Sequence, residues 1–209
     1  NSCCHGTGLE NHVKLQEAVY FLENDAEDAP VVRVDQYLQS VVVWDEKGIG
    51  FTQTEPVITA QAASYRLDRA GRLTFKFRVP TWVAEVPTIT VNGESVDVVE
   101  QDGYLTVSGD WAEGDVVAIA LPFALVTEAT PDREDLVSLK YGPYTMSILS
   151  DATDYLELPA VETLEAEWTP VVGEEAVLTY KWNGMIFRAH HASKGEPFHI
   201  YMITEGVTQ

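Results

Sequence analysis

Leu73-Thr74-Phe75-Lys76-Phe77-Arg78-Val79 sets an apolar side chain at every second position and a polar one between. Successive side chains of an extended strand point to opposite faces, so this segment is expected to be a strand with one buried face. Upstream, residues 31–34, 37–44 and 49–54 read as strands, with a turn at 45–48. Downstream, Asn92-Gly93 and Asp102-Gly103 are dipeptides of the kind that tight hairpins use, because both residues must take positive φ. They punctuate strands at 88–91, 95–99, 104–107 and 116–121, which are expected to run as a meander and close an antiparallel sandwich.

Acidic stretches containing Pro30 and Pro131 mark two boundaries. Beyond the second, strands at 136–139 and 144–149 are separated by Tyr141-Gly142-Pro143. Residues 176–182 and 185–190 flank Asn183-Gly184, and residues 198–204 make a last strand. Residues 150–172 are acidic and irregular in pattern and read as a long surface loop. The expected fold is mainly β: one N-terminal helix followed by two antiparallel β-sandwich domains. The expected segments are 1–29, 30–128 and 129–209, the last an all-β unit smaller than the first.

The 209 residues carry 13 Lys and Arg against 33 Asp and Glu, a formal charge of −20. Affinity for nucleic acid and for anionic membranes comes mainly from basic side chains that displace counterions, so this balance argues against both as partners. The acidity itself is accounted for by a solvated, self-repelling surface. No apolar run approaches the roughly 20 residues that span a bilayer. Hydrophobic residues make up 45% and charged residues 22%, the balance of a chain that buries a core.

The only two cysteines, Cys3 and Cys4, are adjacent and stand before Gly6-Thr7-Gly8. Thr7 followed by Glu10 has the spacing of a capping box, so a helix is expected to open near Gly8 and to run to about residues 21–24. Thiols just ahead of a helix N-terminus are pushed toward the thiolate by unpaired amides and the helix dipole, and a thiolate serves metal ligation or nucleophilic attack. Two plainer readings stay open: ordinary buried thiols, or a strained vicinal disulfide. A zinc site usually needs four ligands. His5 and His12 are candidates to add to the pair, and His5 is also a candidate donor behind the ligands. No second cysteine cluster completes an autonomous zinc finger. The chain opens on Asn1 with no signal peptide ahead of the cysteines, so it reads as a piece of a longer protein whose compartment, cytoplasmic or secreted, is not legible.

Several runs occur in an order that resembles the β-L-arabinofuranosidase-like glycoside hydrolases of families 127 and 146. They are Cys3-Cys4-His5-Gly6-Thr7-Gly8-Leu9-Glu10-Asn11-His12, Gln36-Tyr37-Leu38-Gln39-Ser40 with Trp44, Arg78-Val79-Pro80-Thr81-Trp82, Val91-Asn92-Gly93, Gly103-Tyr104-Leu105-Thr106 and Tyr141-Gly142-Pro143. The resemblance covers about residues 3–145, and the opening looks most like family 146. It implies a large barrel of paired helices preceding β-sandwich domains, so that residues 1–29 are the last helical segment of an upstream catalytic barrel. It also implies zinc held by an upstream Glu, an upstream Cys and the adjacent pair, with the first cysteine attacking the anomeric carbon. Carried over by position, Cys3 is nucleophile and zinc ligand and Cys4 a second ligand. The other ligands and the acid/base Glu have no counterpart here, so the chain by itself is expected neither to hydrolyse glycosides nor to hold zinc tightly.

The implied partners are an arabinose-containing plant-type glycan and the upstream barrel of the same protein; a homodimer is a candidate assembly. The alternative function is a structural or carbohydrate-binding β-sandwich module without chemistry. Glu10 is expected to act as a helix cap, and Trp44, Trp82, Trp111, Trp168 and Trp182 to fill cores or seams more than to stack on sugars. His190, His191 and His199 are not expected to share a metal, because strand alternation sends adjacent histidines to opposite faces.

Overall fold

The computed structural model describes residues 2–23, 30–55, 57–172 and 178–204, and side chains at 2–5, 12–13, 15–16 and 58–59 are left undescribed. The chain separates into two compact units, Asn1–Pro122 and Phe123–Gln209. Among the described residues no helix is long and apolar enough to cross a membrane.

The first unit opens with helix α1 (Ser2–Lys14), followed by a single 3-10 turn (Leu15–Ala18). This corrects the expected start. The helix begins ahead of Thr7, so Thr7 and Glu10 lie in its interior and no capping box is formed. Glu10 instead faces Lys14 across one turn at 3.8 Å, an exposed i,i+4 pair. The helix also ends earlier than its apolar spacing suggested: the chain is extended from Tyr20, where β1 (Tyr20–Glu23) begins.

Ten further strands complete the unit: β2 (Val31–Val34), β3 (Ser40–Trp44), β4 (Ile49–Gln53), β5 (Ala62–Leu67), β6 (Gly71–Arg78), β7 (Ile89–Val91), β8 (Glu94–Val96), β9 (Glu100–Gln101), β10 (Tyr104–Trp111) and β11 (Val116–Ala120). A one-turn helix, α2 (Val57–Ala60), joins β4 to β5. They form a five-stranded sheet in the order β1-β2-β6-β10-β9 and a six-stranded sheet in the order β3-β4-β5-β11-β7-β8. The expected meander is therefore not formed, because β10 and β11 separate into different sheets. Pairing is antiparallel except for β2 against β6, which is parallel.

The decisive segment behaves as its alternation requires. Leu73, Phe75 and Phe77 point inward from β6 and are buried, and so are Phe51, Tyr65 and Leu67 from the facing sheet. Phe51 and Phe75 meet edge to face at 5.3 Å between ring centroids, and Tyr65 and Phe77 pack tilted at 5.1 Å, which closes the sandwich. Trp111 seals one edge, its indole N–H donating to the Leu73 carbonyl at 2.8 Å. Both dipeptide turns take the required backbone, with φ of +50° and +84° at Asn92-Gly93 and +52° and +79° at Asp102-Gly103.

The second unit is built on one nine-stranded sheet. Its strands are β12 (Leu125–Thr130), β13 (Arg133–Tyr141), β14 (Tyr144–Leu149), β15 (Glu157–Leu158), β16 (Thr169–Pro170), β17 (Thr179–Trp182), β18 (Met185–Ala189), β19 (Phe198–His199) and β20 (Tyr201–Thr204). Strand β13 holds β12 along one edge and divides the other between β20 and β14. The mainly β class is as expected; the sheets are mixed, since β15 also runs parallel to β20.

The stretch expected as an irregular loop at 150–172 is more ordered than its acidity suggested. It carries β15, β16 and the short helix α3 (Val161–Glu167), anchored by fully buried Leu164. The Asn183-Gly184 hairpin between β17 and β18 is as read, although residues 176–177 of its first expected strand lie outside the described residues, as do residues 24–29 of the first acidic stretch. His190 and His191 sit on a 3-10 turn (His190–Ala192) rather than on a strand.

Candidate functional site

Cys3 and Cys4 occupy the first turn of α1, with His5 next along it and His12 two turns further on. The placement of these four side chains lies outside the described residues. Backbone N–H groups in a first helical turn have no intrahelical partner, and no acidic residue occupies this one. Among the described residues no three His, Cys, Asp or Glu side chains gather as a metal site.

The strand motifs singled out in the sequence converge at one end of the five-stranded sheet. The Tyr37 hydroxyl donates to the Arg78 carbonyl, and Arg78 Nε donates to the Asp35 carbonyl at 2.7 Å. Asp35 Oδ1 accepts from both Arg33 Nε and the Tyr104 hydroxyl at 3.0 Å each, and the Val79 amide donates to the Gly103 carbonyl at 2.7 Å. Beside them Glu23 accepts from Arg33 at 3.2 Å and from Lys76 at 3.0 Å. The Arg33 guanidinium lies 4.5 Å from the Phe21 ring centroid, and Lys76 lies 5.5 Å from that of Tyr104. Burial raises the Tyr37 and Tyr104 hydroxyl pKa values, and the hydrogen bond that Arg33 donates to Asp35 raises that of Arg33.

Chemically this network is a brace. Both carboxylates are held by cations and neither is a free acid or base poised for catalysis. Its effect is to fasten the end of β2 to the ends of β6 and β10. In the sequence Tyr37, Arg78 and Tyr104 stand only as separate motif letters, and none of the motifs singled out Asp35, the residue that joins them. The signal available was an Arg-x-Asp pattern at the end of a strand.

The remaining candidates separate. His190 Nδ1 lies 3.1 Å from the buried Ser147 hydroxyl, His191 stacks near Tyr144 at 5.3 Å, and His199 Nε2 lies 3.0 Å from the Ala152 carbonyl. His190 and His191 lie on the 3-10 turn, so the strand alternation expected to part them does not operate there. Trp168 packs flat against Tyr180 at 4.9 Å within a cluster that includes Tyr141 and Phe187, so it fills the second unit's interior. Trp182 donates to the Thr163 carbonyl at 3.1 Å and ties α3 to the hairpin.

Residues 31–123 match the family model of the β-L-arabinofuranosidase GH127 middle domain. No curated protein matches the chain. Among solved structures, a glycoside hydrolase superposes with a TM-score of 0.72 at 17% identity, covering 97% of this chain and 39% of its own. A GH127 β-L-arabinofuranosidase from Geobacillus stearothermophilus T6 gives 0.63 at 17% identity, over 91% of this chain and 35% of its own. A GH127 β-arabinofuranosidase gives 0.63 at 18% identity, over 90% and 36%. The chain thus spans a little over a third of the length of these structures. Over residues 31–123 the chain is therefore similar to the middle domain of the GH127 β-L-arabinofuranosidases, the family its motifs resemble.

Proposed function

We propose that this chain is the portion of a retaining glycosidase that carries the nucleophile helix and the β-domains behind it, acting on terminal L-arabinofuranose in plant-type glycans. The observation that carries this reading is an adjacent cysteine pair in the first turn of α1 followed in sequence by a stretch, from residue 31, that matches the GH127 middle domain. Most retaining glycosidases use a carboxylate nucleophile, so a thiolate in that role is an exception. The residues suit it: two thiols at a helix N-terminus favour ionisation, and the engaged carboxylates Glu23 and Asp35 leave no competing nucleophile in the described network.

In this reading Cys3 Sγ attacks the anomeric carbon while the glycosidic oxygen departs with a proton from a carboxylic acid outside this chain; water then hydrolyses the thioglycoside and returns the thiolate. Cys3 and Cys4 are the two ligands this chain offers to a zinc ion, and zinc would keep sulfur ionised at neutral pH. The upstream catalytic barrel is the partner that supplies the acid/base group and the remaining ligands, so the chain alone is inactive.

Two measurements test the reading. Cys3→Ser in the intact enzyme is expected to reduce hydrolysis of an aryl β-L-arabinofuranoside by about 10³-fold or more, in line with removal of other covalent nucleophiles; a rate within a few-fold of wild type overturns it. The isolated chain is expected to bind no stoichiometric zinc, and one tightly held zinc per chain contradicts the divided site.

A further inference from the structure

Tyr155 is half exposed at 49%, yet its backbone is tied down on both sides. Ahead of it the Ser150 amide donates to the Pro197 carbonyl at 3.1 Å, and the Ala152 carbonyl lies 3.0 Å from His199 Nε2. Behind it the Ile203 amide donates to the Leu156 carbonyl at 2.9 Å, and Glu157 enters the sheet beside Ile203. An aromatic ring held out to solvent on a pinned loop contributes little to the fold. The Arg133 guanidinium lies 5.9 Å from the Tyr155 ring centroid.

The ring borders a depression of about 770 Å³ lined by Arg133, Thr153, Asp154, Tyr155 and His199. That volume lies in the range of small-molecule sites. Arg133 is held in plane by Asp135, with Nε donating to Oδ1 at 3.0 Å and Nη2 to Oδ2, so its charge is balanced and its orientation fixed. The wall therefore offers a flat ring face, a hydroxyl, a carboxylate, an imidazole and a fixed guanidinium within one shallow depression.

We propose that this depression is a binding site for an uncharged glycan, separate from the chemistry assigned to Cys3, with Tyr155 as the stacking platform. A sugar ring presents an apolar face of C–H groups rimmed by hydroxyls that both donate and accept, and the lining supplies a partner for each. Uronic acids and phosphates are disfavoured: the chain carries a charge of −20, and Arg133, the cation in the lining, is already paired. A purely apolar ligand is disfavoured by the polar wall. The site itself does not rest on the glycosidase reading; only the choice of an arabinose polymer as first probe does.

The test is affinity electrophoresis of the whole chain in native gels containing a soluble neutral arabinan, a soluble neutral β-glucan or polygalacturonate. Retardation is expected in at least one neutral gel, lost in Tyr155→Ala and kept in Tyr155→Phe, which retains the ring. Retardation in the glucan gel alone supports the site and counts against an arabinose-containing partner. Equal mobility of wild type with and without both neutral polymers, equal retardation of Tyr155→Ala, or strongest retardation by polygalacturonate overturns the proposal.

Discussion

Asp35 shows how a single side chain organises an end of a sheet. It receives Arg33 and Tyr104 on one carboxylate oxygen while its own carbonyl receives Arg78. Asp35→Ala removes the one acceptor shared by two partly buried donors and is expected to cost about 1–3 kcal/mol, the usual penalty for stranded hydrogen-bonding groups, read as a lower urea midpoint at unchanged slope. Tyr20, Tyr37 and Tyr65 are held protonated by burial, and burial with Tyr141 nearby pushes Tyr180 up to about 12. Because these pKa values are higher folded than unfolded, their contribution is complete below the ordinary tyrosine value and lost as pH rises above it. Absorbance titration is expected to show them ionising together with alkaline unfolding; independent ionisation near pH 10 contradicts the buried placement. The two Asn-Gly turns differ likewise. Asn92 is held by bonds to Asp115 and Val116 at 3.0 and 2.9 Å, whereas Asn183 is exposed in its turn. Peptide mapping after mild alkaline storage is expected to find deamidation at Asn183 ahead of Asn92.

At the scale of elements, the alternation at Leu73, Phe75 and Phe77 and the Asn-Gly and Asp-Gly turns were legible because their causes lie within a few residues. The break after Lys14 was not: Leu15, Ala18, Val19 and Leu22 continue a helical spacing, but the pairing of Tyr20 with Val34 wins that stretch for β1. Helical propensity yields there to a tertiary contact. The parallel register of β2 on β6 joins residues about forty apart, beyond any local signal. Strand β5 was legible and missed, since Ala63, Tyr65 and Leu67 are its buried positions. Of the site, the cysteine pair stood out in sequence as a candidate for chemistry, which remains the proposal above, while the Asp35 network was visible only as separate words. Gly142 carries a local demand of its own: its φ is +55°, and an added Cβ would stand 2.6 Å from the Phe123 ring. Gly142→Ala is expected to destabilise by about 1–3 kcal/mol through overpacking and backbone strain, again measured by denaturant midpoint; a neutral effect contradicts the packing of Phe123 at that turn.

For the whole molecule the charge of −20 is the dominant long-range term. Self-repulsion of that size is screened by salt, so thermal stability at neutral pH is expected to rise between low and physiological ionic strength. A falling midpoint would mean that pairs such as Lys76–Glu23 outweigh the repulsion. The distribution of chemistry along the chain follows the same division of labour. The β-units supply cores and braces, and the cysteine pair proposed as reactive lies on the helix that precedes them in sequence. The central claim is that Cys3 becomes the covalent nucleophile of the intact enzyme. Acid-quenching that enzyme during turnover of an aryl β-L-arabinofuranoside and mapping its peptides by mass spectrometry is the most direct test. A pentosyl unit on Cys3 is the expected result, and a pentosyl unit on a carboxylate, with Cys3 unmodified, would contradict it.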